Sequence, residues 1–234
     1  MREAIEQLSY FDFFALTVVG FLILYFAFAT SAYIIFTKSN RFKSFQEKSF
    51  RPGQIRTEIS RSMVSIFMFA ILSIWMRWAL KVSIYRFDFD FDLKIFGLEL
   101  LALFFWNEIY FYIFHRLFHL KAFYKLHAYH HYSTVPSPFS AYSFHWTEGI
   151  VLGAVMPVAL FLHDFQVYSI LLLPVMSIFM NVLGHSNVDF FPEKGINSIL
   201  SFSKRHSQHH KNPHKNFGFF LPTLDKLMGT IDES

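Results

Sequence analysis

The chain has 234 residues, 53% hydrophobic and 16% charged, with a formal net charge of +4. Soluble domains carry about 25% charged residues, so the depletion, together with long apolar blocks, points to an integral membrane protein of a single domain spanning 1–234. The absence of cysteine excludes disulfides, thiolate zinc sites, cysteine-held iron–sulfur clusters and thiolate haem, and the positive charge lies beside apolar spans, where it sets topology rather than binding nucleic acid.

In chain order, the first apolar block is residues 11–37, longer than the ~20 residues a membrane helix needs. Its leader, MREAIEQLSY, is not basic, so the block reads as a retained anchor rather than a cleaved signal. Residues 38–61 form a polar loop with seven Lys or Arg against two Glu, which the positive-inside rule assigns to the cytoplasm. A second span is predicted over 62–85, containing Arg77. The alternating stretch RFDFDFDLK (86–94) reads either as a short strand or as a loop whose rings dip into the interface. The third span, 95–114, leads into HRLFH. Residues 149–184 are apolar again, interrupted by HDFQ at 163–166, and read as a helical hairpin that is re-entrant or just spans. The expected fold is therefore all-α: a membrane helical bundle whose cytoplasmic cap comprises 115–148 and 185–234.

Histidine carries the chemistry. HxxxH occurs at His115 and His119, and HxxHH occurs twice, at His127, His130 and His131 and at His206, His209 and His210. Positions i, i+3 and i+4 share a helical face, so each motif presents several imidazoles together. Imidazole suits iron, zinc, copper and nickel. Eight histidines exceed what one ion takes, and two metals fit, each held by one triad with help from the 115/119 pair. His185, at the mouth of the hairpin, is a ninth candidate, and Asn181 lies one turn before it. Glu108 is placed to orient an imidazole from outside the ligand set, with a packing carboxylate paired to Arg77 as the alternative. His145 is ranked as a supporting donor behind the ligands. His163 and His214 read as a turn and a surface-loop histidine. The residue types leave iron and zinc open. A zinc-dependent membrane hydrolase, with Glu108 or Glu148 as general base, and a non-enzymatic metal-handling protein remain alternatives.

The order HxxxH, HxxHH, HxxHH resembles the fatty acid hydroxylase / sterol desaturase superfamily of membrane di-iron oxygenases, from about Glu108 to Thr230. The stretches HHYSTVPSPFSAYSFHWTEG, NVLGH, HSQHHKNPHKNFG and LDKLMGT resemble its sterol C-5 desaturase branch, as does GQIRTEISRS (53–62). The resemblance implies iron ligation by His115, His119, His127, His130, His131, His185, His206, His209 and His210. It implies two iron ions, whose donors zinc is able to take in a purified sample, and O2 as co-substrate. The product would be a hydroxylated or desaturated lipid, sterol-like or fatty acyl. The chain shows no dinucleotide fingerprint and no flavin or haem module, so a separate reductase, cytochrome or ferredoxin is expected to deliver electrons. The cap would face the cytoplasm from a bacterial inner membrane or the endoplasmic reticulum.

Overall fold

The computed structural model describes residues 2–39 and 42–232. Among these residues it is all-helical, with two isolated β-bridges. The helices are α1 (Arg2–Gln7), α2 (Tyr10–Ala32), α3 (Gln54–Lys81), α4 (Leu93–Phe118), α5 (Tyr124–His127), α6 (Trp146–Gly153), α7 (Val155–Ala159), α8 (Val167–Gly184), α9 (Phe202–Lys211) and α10 (Thr223–Leu227). By length and composition, four are able to cross a membrane: α2 with its π-helical continuation to Lys38, α3, α4 and α8. The 18 residues of α8 rise about 27 Å, close to the ~30 Å hydrocarbon thickness. Their outward faces carry bare apolar side chains such as Phe11, Leu16, Ile23, Leu98, Leu101 and Leu171, as a lipid-facing belt requires.

Local chemistry sets the helix ends. Ser9 and Asp12 form a reciprocal capping box at the start of α2, with the Asp12 amide donating to Ser9 Oγ at 3.1 Å and the Ser9 amide to Asp12 Oδ2 at 2.7 Å. Asp92, the last aspartate of the FDFDFD stretch, caps α4 by accepting from the Ile95 amide at 2.9 Å. Helix α3 begins at Gln54, eight residues earlier than the span boundary predicted at 62, so most of GQIRTEISRS is helical rather than loop. Arg77 donates to the carbonyls of Leu8 and Glu6, both at 2.7 Å, which ties α1 to the end of the bundle away from the histidines.

Two apolar cores stack along the bundle. One, next to the histidines, gathers Tyr25, Ala29, Ile66, Phe69, Phe139, Tyr142 and Ile178. The other, at the far end, gathers Ala79, Tyr85, Leu103, Leu160, Phe165 and Ile170. Helix α6 packs on α3 through Gly149 and Gly153, four residues apart. A Cβ at Gly153 would lie 2.6 Å from the Phe69 ring, so only glycine allows this approach, as in small-residue contacts between membrane helices. The turn after α7 reaches as deep as the true spans. The Asp88 amide donates to the Phe165 carbonyl at 3.0 Å, the Val167 amide donates back to Asp88 at 2.8 Å, and Tyr85 donates to the Pro157 carbonyl at 2.8 Å. The 149–184 hairpin therefore closes against the α3–α4 connection, and FDFDFD contributes a single parallel bridge to Gln166 rather than a strand.

Candidate metal centre

All nine histidines singled out above come together at one end of the bundle, in two adjacent groups. His115, His119, His127, His131 and His209 form the first, and His130, His185, His206 and His210 form the second. Within each group the candidate ligand atoms lie within 4.8 Å of one another. Each scaffold has a distinct origin. His115 and His119 end α4, His185 follows α8, and HSQHH lies on α9. HAYHH does not form a continuous helix: α5 stops at His127, and a tight turn carries His130 and His131.

That turn corrects the expected division of ligands. Neither HxxHH motif serves one ion as a triad. His127 and His131 face the first group while His130 faces the second. His209 joins the first, and His206 and His210 join the second. Neighbouring residues 130 and 131 thus belong to different groups, and the imidazoles of His131 and His210 stand 4.9 Å apart, centroid to centroid, across the boundary.

The donor set suits a cation. His115 Nδ1–H donates to the Phe217 carbonyl, His185 Nδ1–H to the Asn181 carbonyl and His209 Nδ1–H to the Lys215 carbonyl, each at 2.7 Å. A carbonyl only accepts, so Nδ1 bears the proton and Nε2 of each neutral ring is a bare lone pair. These lone pairs point inward at other imidazole nitrogens. Nε2–Nε2 separations are 3.1 Å for His115 and His127, 3.2 Å for His119 and His115, and 3.1 Å for His209 and His131. In the second group they are 3.2 Å for His185 and His130, 2.9 Å for His206 and His185, and 3.1 Å for His210 and His206. Nitrogens about 2.1 Å from one ion and at right angles around it would stand about 3.0 Å apart. Burial keeps the rings neutral: it pushes His185 and His209 down to about 4 and lowers His127, His130, His131, His206 and His210 as well. Neutral imidazoles with inward lone pairs are able to hold metal at neutral pH.

The supporting residues differ from those expected. The carboxylate behind the ligands is Glu148, whose Oε1 accepts from His127 Nδ1 at 2.7 Å. It is fully buried, and burial raises its carboxyl. A cation beyond the ring would oppose that rise. Glu108 does not reach a histidine, nor does it pair with Arg77. Its Oε2 accepts the Phe220 and Leu221 amides at 2.9 and 2.8 Å. His145 caps α6, with Nδ1 3.3 Å from the Thr147 amide and 2.7 Å from its Oγ1, and stands outside both groups. Asn181 supports His185 through its backbone carbonyl only; its side chain donates to the Ser177 carbonyl at 2.9 Å. His163 pairs with Glu99 at 3.0 Å at the far end, and His214 is an exposed loop residue, as expected.

Two further sets of residues fix the ligand loops. From α3, Gln54 donates to the Val135 carbonyl at 2.8 Å, Glu58 accepts from Ser133 at 2.7 Å and from Ser137, and Arg61 donates to the Tyr129 carbonyl. This explains GQIRTEISRS, which grips the loop following HAYHH. From α10, buried Asp225 accepts the Phe217 and Gly218 amides at 2.9 and 2.7 Å, holding the strip that supplies the Phe217 carbonyl.

A cavity of about 560 Å³ runs through the bundle, lined almost entirely by apolar residues of α2, α3, α4, α6, α7 and α8. Three of its lining rings touch the histidines. Phe111 lies 4.7 Å from the His115 ring, Phe144 5.1 Å from His130, and Phe219 4.7 Å from His206. These three rings stand between the cavity and the two groups.

Known proteins match this arrangement in sequence. The chain is 25% identical over 239 residues to human lathosterol oxidase, covering 98% of this chain and 76% of that one. It is 27% identical over 228 residues to the Delta(7)-sterol 5(6)-desaturase ERG3A of Gibberella zeae, covering 93% and 62%. It is 32% identical over 138 residues to protein CER1-like 2 of Arabidopsis thaliana, covering 54% and 22%. The chain therefore spans less than two thirds of the fungal and plant relatives. No solved structure matches it. The fatty acid hydroxylase model matches residues 100–230, a stretch that holds all nine clustered histidines, and the chain belongs to that family.

Proposed function

We propose that the protein is a membrane-bound, O2-dependent di-iron oxidoreductase that hydroxylates or desaturates a C–H bond of a lipid. The observation that carries this reading is an apolar cavity of about 560 Å³ separated from two groups of converging imidazoles only by the rings of Phe111, Phe144 and Phe219. A lipid tail has no polarised carbonyl along its length, and cleaving its C–H bonds calls for the oxidising power that iron supplies with dioxygen. The protein's part is placement. The apolar walls bind the tail and exclude water, and Phe111, Phe144 and Phe219 fix how closely it approaches the histidines. The Nδ1 acceptors hold each imidazole in one tautomer.

Two relatives are named as sterol oxidase and desaturase, which favours sterol-like or fatty acyl substrates. The hydrolase alternative is less favoured: Glu148 stands behind His127, and Glu108 Oε2 is held by two backbone amides away from the histidines. A transporter would place its ligands near the bilayer midplane, whereas these lie at helix ends. Iron cycling requires electrons from a separate reductase, cytochrome or ferredoxin. The basic charge of the 38–61 segment supports a cytoplasmic histidine end. Lipid mass spectrometry of cells expressing the native chain or His130→Ala tests the reading. A lipid gaining one oxygen or losing two hydrogens only with the native chain supports it. An unchanged lipid profile, with zinc and no iron in the purified protein, overturns it.

A further inference from the structure

Polar groups on the walls of an apolar cavity must find partners or remain unsatisfied. Most in this cavity are satisfied by the protein. Thr17 donates to the Phe13 carbonyl at 2.7 Å, Ser73 to Ala70 at 2.7 Å and Tyr110 to Val151 at 2.6 Å. The Asn181 amide nitrogen donates to Ser177. Asn107 is different. It is 8% exposed, lines the cavity, and its side-chain amide makes no hydrogen bond among the described residues. Asn181, 9% exposed, lines the same cavity from α8, and its Oδ1 accepts no donor among the described residues. A leucine at either position would suit the surroundings better, so folding alone does not account for these amides.

We propose that Asn107, with Asn181 Oδ1, forms a polar subsite that receives the neutral hydroxyl or carbonyl oxygen of the lipid substrate. The inference rests on the lipid-oxidation reading and narrows its substrate class. An amide both donates and accepts, which matches a hydroxyl on both counts and a carbonyl on one. Among the described residues no Lys, Arg, Asp, Glu or His lines the cavity, so an ionised carboxylate or phosphate would be buried without a counter-charge. Position narrows the class further. Asn107 precedes His115 by eight residues on α4, about 12 Å along the axis. The substrate's oxygen is therefore separated by several bonds from the carbon presented to the histidines, and the reacting C–H is not the one adjacent to that oxygen.

Binding to the purified full chain in nanodiscs tests this without turnover, using octadecane, 1-octadecanol and octadecanoate as probes. The native chain is expected to hold the alcohol at least tenfold more tightly than the alkane or the ionised acid. Asn107→Leu is expected to reduce the alcohol's preference to about twofold, with alkane binding unchanged and the thermal midpoint unchanged or raised, because no protein partner is lost. Equal binding of alkane and alcohol by the native chain overturns the polar subsite and leaves the lipid chamber standing. A preference unaltered in both Asn107→Leu and Asn181→Leu also overturns it, as does a lowered midpoint with unaltered preference, which would mark Asn107 as structural. Failure of all three probes to bind removes the lipid chamber itself, and this inference with it.

Discussion

The two histidine groups are built from the same motifs yet differ in surroundings. The first has five imidazoles, one of which, His119, is partly exposed. It lies at the rim, with Tyr124 on its outer side, 5.7 Å from the His119 ring. The second has four imidazoles, all buried, and packs against Phe144 and Phe219 of the cavity wall. Both groups touch rings of the cavity wall, the first through Phe111 and the second through Phe144 and Phe219, so the difference lies in exposure: the larger group is the one with a partly exposed imidazole. The enclosed group has fewer protein ligands to lose and less water to replace them. The rim group has a spare imidazole and a route to solvent.

That contrast is open to direct attack. The largest effect is expected from His206→Ala, which strips an enclosed group that water cannot readily repair. Product formation should fall by more than ~100-fold, since even residues behind a ligand are worth 10–100-fold, and metal analysis should show about half the bound metal gone. His119→Ala at the rim should retain most of its metal and lose about tenfold in turnover; equal losses in the two variants would abolish the distinction. Glu148→Gln comes next. It weakens the acceptor behind His127 and should lower metal affinity by about 10-fold, confined to the first group when each ion is followed spectroscopically. Gly184→Ala is smaller. A Cβ there would run into the Phe219 ring, and overpacking of this kind costs about 1–3 kcal/mol, read as a lower thermal midpoint with metal content preserved. The mildest test leaves the sequence alone: chelator added to the native protein should remove metal in two phases, the rim ion first.

Much of this was legible in the sequence, for identifiable reasons. Histidine spacing survives translation into structure because imidazoles three and four residues apart share a helix face, and apolar length marks the spans. The allocation of His130 and His131 to separate groups was hidden, because it depends on α5 ending at His127, and periodicity does not reveal that stop. Glu148 was obscured by its position. It is the third residue of α6, where a glutamate ordinarily reads as part of an N-terminal cap, and only packing turns it toward His127. Glu108 had the more persuasive spacing and serves the Phe220–Leu221 backbone instead. Asn107 gave no signal at all, since an asparagine within an apolar helix acquires meaning only when the cavity beside it is known.

The strip from Lys215 to Leu221 has a consequence for biogenesis. Its carbonyls fix His209 and His115, its Phe219 ring closes the chamber, and Asp225 and Glu108 hold it in place. The contacts with His115 and Glu108 join this late strip to α4, whereas those with His209 and Asp225 are local. A ribosome has therefore threaded all four hydrophobic helices into the translocon before the imidazole cradle is complete. Ion capture must follow insertion, and a nascent chain stalled before Asp225 would be membrane-embedded but unable to load.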